Sequence, residues 1–301
     1  MHLTQKEVRG LLFALLGVFL FSLSIPMTKW ALESFDPFLT ATSRPVIACT
    51  VAIPLMLIRK VPRFPRSHFR ALLFTTIGGA LGWPILVALA LQRTTSAHVA
   101  VIAAIMPLVT AIIAVIRTDT RVSWQFWAAS LCGTTLLIIF ALSRGGGTDG
   151  SISADILTTA AVFASSYCYV EGAELTKIMP GWQVISWVVV LALPICIPAS
   201  LIIFAKTHDQ HPITAHGISG LLVIGLSSMY LGFFAWYRGL RDAGTAHGSQ
   251  VQQLQAIMTL GWSALMLGEK VTLEMVLIAL GVIGSVLWAL VTRRGKLLPQ
   301  E

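Results

Sequence analysis

The stretch Ala90 to His98 reads ALQRTTSAH and Gly239 to His247 reads GLRDAGTAH, one short pattern met twice at a distance of 149 residues. Each copy stands between two long apolar stretches. At the same offset Pro45 answers Pro194, Thr110 answers Thr259, and Arg121-Val122-Ser123 answers Lys270-Val271-Thr272. A chain of 301 residues that is mostly apolar and repeats at half its length reads as a membrane protein made of two related bundles. Its working site is expected where the bundles meet.

Composition supports the membrane reading. The chain is 56% hydrophobic and 11% charged, with a mean hydropathy of +0.81. Soluble domains carry roughly 25% charged residues, so this chain cannot cover a water-facing surface. Cys49, Cys132, Cys168 and Cys196 all lie in apolar stretches without metal-ligand spacing. They read as small hydrophobes, and neither a metal site nor a cofactor is expected. The net charge of +8 is dispersed beside apolar spans instead of gathered in one patch, which argues against a nucleic-acid partner. The first apolar run, Leu11 to Leu23, is followed by Thr28-Lys29-Trp30 rather than a small-residue cleavage site, and reads as a first spanning helix.

About 20 apolar residues cross a bilayer core as a helix. Ten segments qualify, at roughly 10–28, 36–58, 69–91, 96–116, 123–142, 154–176, 182–205, 217–240, 246–267 and 272–292. The glycine-rich loop Ser143–Ser153 divides five from five, so the expected halves are residues 1–148 and 149–301 of one integral membrane domain. With a cytoplasmic N-terminus, 15 Lys and Arg fall on the inner side and 5 on the outer, with Arg44 left inside the second segment. Both termini are therefore expected in the cytoplasm. An odd number of helices per half turns the second half upside down. The basic loop Arg59–Arg70 accordingly matches Lys206–Gly217, which has a single lysine. The expected fold class is an all-α polytopic membrane protein of ten helices in two inverted five-helix repeats around a central cavity.

Polar groups inside the spans mark the candidate site. Gln250, Gln252, Gln253 and Gln255 place four amides in one segment, and amides in hydrocarbon need protein or water as partners. On a helical wheel Gly248, Gln252, Gln255, Thr259 and Ser263 form a stripe about 80° wide, with Gln250 and Gln253 elsewhere. Cavity lining and interhelical hydrogen bonding both use such residues. The matching stretch of the first half, Val101 to Met106, has no polar side chain. Trp83, Tyr167, Tyr169, Tyr230 and Trp236 can supply flat apolar faces with a polar edge, and Ser22 joins them as a weaker candidate. Trp236 and Tyr237, near a helix end, also read as interface anchors. The expected occupant is a small organic molecule with polar and apolar parts.

Titratable candidates are fewer. His98 and His247 are matched by the repeat and can act as proton-sensitive gates or as ordinary interfacial histidines. Glu174 and Lys177 form a helical ion pair by spacing, while Glu171, one turn deeper, is a candidate for proton coupling. Arg44 reads as snorkelling toward the outer surface. Gly225, Gly232 and Gly239 at seven-residue spacing, and Gly78 with Gly82, read as close helix-packing positions.

Met106-Pro107-Leu108-Val109-Thr110-Ala111, the Leu267-Gly268-Glu269-Lys270 ending, and Lys29 eight residues after Phe21-Ser22 carry a family resemblance. Tyr169 and Lys177 keep the same spacing in the second half. Together with the repeat and the topology, they resemble the drug/metabolite transporter superfamily, and more closely its EamA-type bacterial members. Phe21-Ser22 stands where that family has Trp-Gly, Asp119-Thr120-Arg121 where it has Gly-Glu-Arg, and Ala256 where it has a second proline. The resemblance implies a ten-helix fold with a central cavity and export of amino acids, metabolites or toxic compounds across the bacterial cytoplasmic (inner) membrane. In such proteins Glu269 is structural.

The expected function is secondary transport by alternating access and not catalysis, with a gradient as the energy source because no Gly-Lys-[Ser/Thr] loop is present to cradle ATP. The substrate contacts named are Gln252, Gln255, Thr259, Tyr230, Trp83, Ser22 and Tyr169, with lipid and possible coupling protons as partners and a monomer or weak dimer as the assembly. Alternatives are an exchanger of anions or phosphorylated metabolites, a channel or sensor, and an intramembrane lipid-modifying enzyme. The first wants several buried cations, and only Arg44 and Lys29 qualify. The last has only Glu171 and Glu174 as clustered acids.

Overall fold

A computed structural model describes residues 4–91, 93–94, 99, 102–143, 151–209, 212–267 and 273–292. All regular structure among them is helical. Five helical passes are long and apolar enough to cross a membrane: Gln5–Ala31, Pro37–Ile58, Arg66–Ala90, Gly181–Thr207 and Ala215–Ala243. Met106–Thr118, Trp124–Phe140 and Val276–Val291 are shorter apolar helices.

The first pass is two helices, α1 (Gln5–Ser22) and α2 (Ser24–Ala31). Thr4 starts α1 with a capping box, its hydroxyl accepting from the Glu7 amide while the Glu7 carboxylate accepts from the Thr4 amide. The single helix expected over Leu11–Leu23 and beyond is interrupted at Leu23, and Pro26 supplies the reason. Proline has no amide to give the carbonyl four residues earlier, which is that of Ser22. After the turn, α3 (Pro37–Ile58) starts on Asp36, whose carboxylate accepts from the amides of Phe38 and Leu39.

The third pass is α4 (Phe69–Thr75), a π-helical segment Thr76–Gly82, and α5 (Trp83–Leu91). Then follow α6 (Met106–Thr118), α7 (Trp124–Ser143), α8 (Ile152–Leu175) and α9 (Gly181–Thr207). The next pass comprises α10 (Ala215–Val223), a second π segment Ile224–Leu231, and α11 (Gly232–Ala243). Gly244, at φ 83°, breaks the chain before α12 (Thr245–Gln250). A 3-10 turn, Val251–Gln253, leads to α13 (Leu254–Leu267), and α14 (Leu273–Val291) closes the described chain.

The repeat offset of 149 residues carries Thr76–Gly82 onto residues 225–231, so the two π segments occupy matching positions. Widened turns of this kind gather at functional sites. Pro45 in α3 and Pro194 in α9 also match, and both lie inside their helices.

The packing follows the same correspondence. The first pass runs antiparallel along α10 and α11, and the third pass packs along α8 in the equivalent way. Between α1 and α11 the backbones touch. A Cβ added at Gly10 would lie 2.5 Å from the Ala243 nitrogen, and one at Gly17 would lie 2.9 Å from the Trp236 nitrogen. One at Gly239 would run into the Ala14 backbone. Between the third pass and α8, Gly78 lies against the Ala164 backbone and Gly79 against the Cys168 side chain, with Gly82 beside the Ala164 methyl. Other large pairings also cross the repeat boundary: α3 with α9, α7 with α14, and α6 with α12. Without a hydrophobic drive in lipid, small residues that admit backbone contact supply the association.

Cys49, Cys168 and Cys196 are buried among apolar side chains, and Cys132 lies exposed on α7. Trp236 and Tyr237 are not interface anchors. Both are fully buried, because Trp236 packs on Phe21 and Tyr169, and Tyr237 on Phe233 and Gly172.

Candidate functional site

Ser22, freed by the break in the first pass, organises the centre. Its carbonyl accepts from Thr259 Oγ1 at 3.1 Å. Its hydroxyl donates to the Phe19 carbonyl at 2.6 Å and accepts from Trp262 Nε1 at 3.1 Å. Thr259 thus supplies the proton that Pro26 cannot, and α13 is tied to the end of α1.

Aromatic rings fill the space beside this junction. Tyr169 of α8 lies 5.5 Å from Trp236 and 5.9 Å from Phe233, centroid to centroid. Phe21 packs edge-on against Phe233 at 5.1 Å and lies parallel to Tyr169 at 6.5 Å. Residues of both repeats therefore share one aromatic box. In this conformation the place where the sequence led us to expect a cavity is packed with rings.

Gln252 borders the box. Its Nε2 donates to Met106 Sδ at 3.2 Å, a weak acceptor, and the Tyr169 hydroxyl faces the Gln252 and Ser165 side chains. The Gln252 carbonyl oxygen is buried with no hydrogen-bond partner, and so is the Trp236 Nε1 donor. A buried group left unmatched costs about 1–3 kcal/mol, and such groups in native proteins call for an explanation. One acceptor and one donor are thus left unmatched in an aromatic surround.

The other glutamines serve differently. Gln253 Nε2 donates to Gln250 Oε1 at 2.7 Å, and Ser285 Oγ donates to Gln253 Oε1 at 3.2 Å. Gln250 Nε2 reaches the Pro107 carbonyl at 3.5 Å. This chain of amides bridges α6, α12 and α14 as internal packing. The 3-10 turn at Val251–Gln253 shifts the helical phase, which is why all of Gln250, Gln252 and Gln253 are buried. Gln255 is half-buried one turn further along.

Of the predicted contacts, the structure brings together Ser22, Tyr169, Gln252 and Thr259. It does not place Tyr230 in the ring cluster: its hydroxyl is bonded to Ser186 Oγ of α9 at 2.7 Å. Trp83 is half-buried and packs against the main core without joining those rings. Glu171 is buried and paired with Arg117, Nε to Oε1, at 2.6 Å. His247 is buried against the Phe126 ring at 4.8 Å. His98, Glu269 and Lys270 lie outside the described residues. Glu174 and Lys177 form the expected pair at 2.6 Å. Sequence reasoning missed Phe21, Phe233, Trp262 and Met106. The i, i+3, i+4 spacing of Phe233, Trp236 and Tyr237 was the available signal for one aromatic face.

The model of the EamA-like transporter family matches residues 8–142 and again residues 152–291. The chain belongs to the EamA-like transporter family. The two matches fall on the two copies of the repeat, and with the apolar helices they make this a multi-pass membrane protein. The uncharacterized transporter YdeK of Bacillus subtilis (strain 168) is 36% identical over 279 residues, covering 93% of this chain and 96% of that protein. A protein of known crystal structure has the same fold at a TM-score of 0.77, covering 96% of this chain and 99% of that one at 16% identity.

Proposed function

We propose that this membrane transporter is a secondary carrier of the bacterial cytoplasmic membrane that works by alternating access. Two inverted five-helix halves, residues 1–148 and 149–301, give ten spans with both termini in the cytoplasm. The cargo is a small amphiphilic metabolite, amino acid or drug, and export follows from the family resemblance. The reading rests on one observation above the others: Gln252, beside an aromatic box built from both repeats, has a buried carbonyl oxygen with no partner. The mirrored π segments beside that box, and the antiparallel packing of the first pass on α11, support halves that rock about a shared centre.

Gln252, Tyr169, Ser22 and Thr259 are the proposed cargo contacts, with Gln255 on the approach to them. A thermal-shift screen of the purified protein against amino acids, amines, nucleosides and antimicrobials identifies the cargo. Counterflow of that cargo in proteoliposomes then tests the mechanism, because a carrier exchanges cargo across the membrane while channels and enzymes do not. Gln252→Leu combined with Gln255→Leu is expected to abolish counterflow with membrane insertion intact. Counterflow at the parental rate by that variant removes the site assignment.

A further inference from the structure

Arg44, half-buried on α3, has no carboxylate partner among the described residues. Its Nη2 donates to Thr28 Oγ1 at 2.8 Å and to Ser24 Oγ at 3.4 Å, and its Nε is buried with no acceptor. Ser228, in the second π segment, adds a third hydroxyl at 3.5 Å from Ser24. Among the described residues no carboxylate comes within ion-pair distance. Asp242 pairs with Arg9 and Arg241, Glu171 with Arg117, Glu174 with Lys177, Asp209 with His208 and Glu33 with His216. Hydroxyls orient a guanidinium but do not neutralise it, and an unneutralised charge inside a membrane span is costly and marks a functional position.

We propose that Arg44, with Ser24, Thr28 and Ser228, forms an oxyanion subsite that takes the carboxylate of a monoanionic cargo. The set contains one guanidinium and no second cation, so it matches a single negative charge. Guanidinium offers planar paired donors suited to carboxylate, and the two hydroxyls hold its fork in place. The location fits a continuous path. Ser24 lies just after the Leu23 break, and Ser22, just before it, belongs to the junction with Thr259, Trp262 and the aromatic box. A cargo anchored at Arg44 has its apolar part directed toward Phe21 and Tyr169. The repeat puts Leu193 opposite Arg44, so only one half carries the charge. The subsite rests on the carrier reading for its occupant, but its test reads binding without transport.

The test follows thermal unfolding of the purified full-length protein at matched ionic strength with three probes: 3-phenylpropionate, 3-phenylpropionamide and inorganic phosphate. The acid is expected to raise the Tm by several degrees, while the amide does not and phosphate does no more than chloride. Arg44→Gln is expected to remove the response and Arg44→Lys to keep part of it. Without probe, Arg44→Gln leaves the Tm unchanged or raised, since an unmatched charge is gone; a merely structural arginine would lower it. Equal stabilisation by acid and amide overturns the subsite, as does a response that survives Arg44→Gln or the absence of any response to the acid. A larger response to phosphate overturns the monoanion assignment. Should Arg44→Gln fail to fold, Ser24→Ala with Thr28→Ala decides: a weakened acid response supports the subsite and an undiminished one overturns it. None of these failures touches the counterflow result, which uses whatever cargo the screen identifies.

Discussion

Arg117 Nε and Glu171 Oε1 meet at 2.6 Å although 54 residues separate them in the chain. The contact fastens the end of α6 to α8 where the carboxylate is buried and the guanidinium half-exposed. Solvent at the arginine screens the pair, so its worth is about 1 kcal/mol, at the low end for charge-assisted bonds. A double-mutant cycle of Glu171→Gln and Arg117→Gln, read by chemical unfolding, is expected to return a coupling of that size. Independent, additive losses would show that the two side chains do not interact in the native protein.

Glycines offer a sharper contrast. Gly239 faces the Ala14 backbone, so a methyl group there must push two helices apart. Gly239→Ala is expected to cost about 1–3 kcal/mol or more, as overpacking does. At Gly284 an added Cβ meets nothing within 4 Å. Gly284→Ala is expected to be neutral or to gain up to about 1 kcal/mol, because alanine is the better helix former. Thermal unfolding of the two variants side by side checks the pair. Similar Tm values for both would contradict the described contact between α1 and α11.

The repeat and the apolar spans were legible because offset and hydropathy are properties of sequence alone, and the family model later matched both copies. The close packing of Gly232 and Gly239 was legible too, since seven-residue spacing keeps one helix face. The site was read less well, for identifiable reasons. The wheel set Gln250 and Gln253 apart from Gln252, but it could not give the partners, Ser285 for Gln253 and Met106 for Gln252, which come from other helices. Trp236 stands near a helix end as read, but its ring packs on Phe21 and Tyr169 instead of facing the membrane surface. Pro26 was in plain view, yet the consequence for the Ser22 carbonyl needed the partner, Thr259, 237 residues away. Arg44 was read as snorkelling, whereas Thr28 and Ser24 hold it in place.

Inverted halves predict which loops face which side. In a cysteine-free background, Arg63→Cys and Lys177→Cys are expected to react with a membrane-impermeant maleimide only after the cells are opened. Glu33→Cys and Asp209→Cys are expected to react in intact cells. The matched loops around Arg63 and Asp209 make the decisive comparison, because parallel halves would expose both on one side. Labelling of Arg63→Cys and Asp209→Cys from the same face would refute the inverted arrangement.

Gln252 and Gln253 are neighbours with opposite expected phenotypes. Gln253 both donates to Gln250 Oε1 and accepts from Ser285 Oγ inside the packing, and Gly133 leaves the room its amide occupies. Gln253→Leu strands the buried Gln250 carbonyl oxygen, while Ser285 keeps its bond to the Val282 carbonyl, so a loss of about 1–3 kcal/mol is expected, with any fall in transport following the fall in folded protein. Gln252 donates to the weak Met106 sulfur, faces the Tyr169 hydroxyl and has an unmatched carbonyl oxygen. Replacing it by leucine leaves the Tyr169 hydroxyl its Ser165 neighbour, and stability is expected within about 0.5 kcal/mol of the parent or above it. Transport per folded molecule, read by counterflow, is expected to fall at Gln252→Leu and to persist at Gln253→Leu. The reverse order would move the cargo contact from the aromatic box to the amide chain at α14.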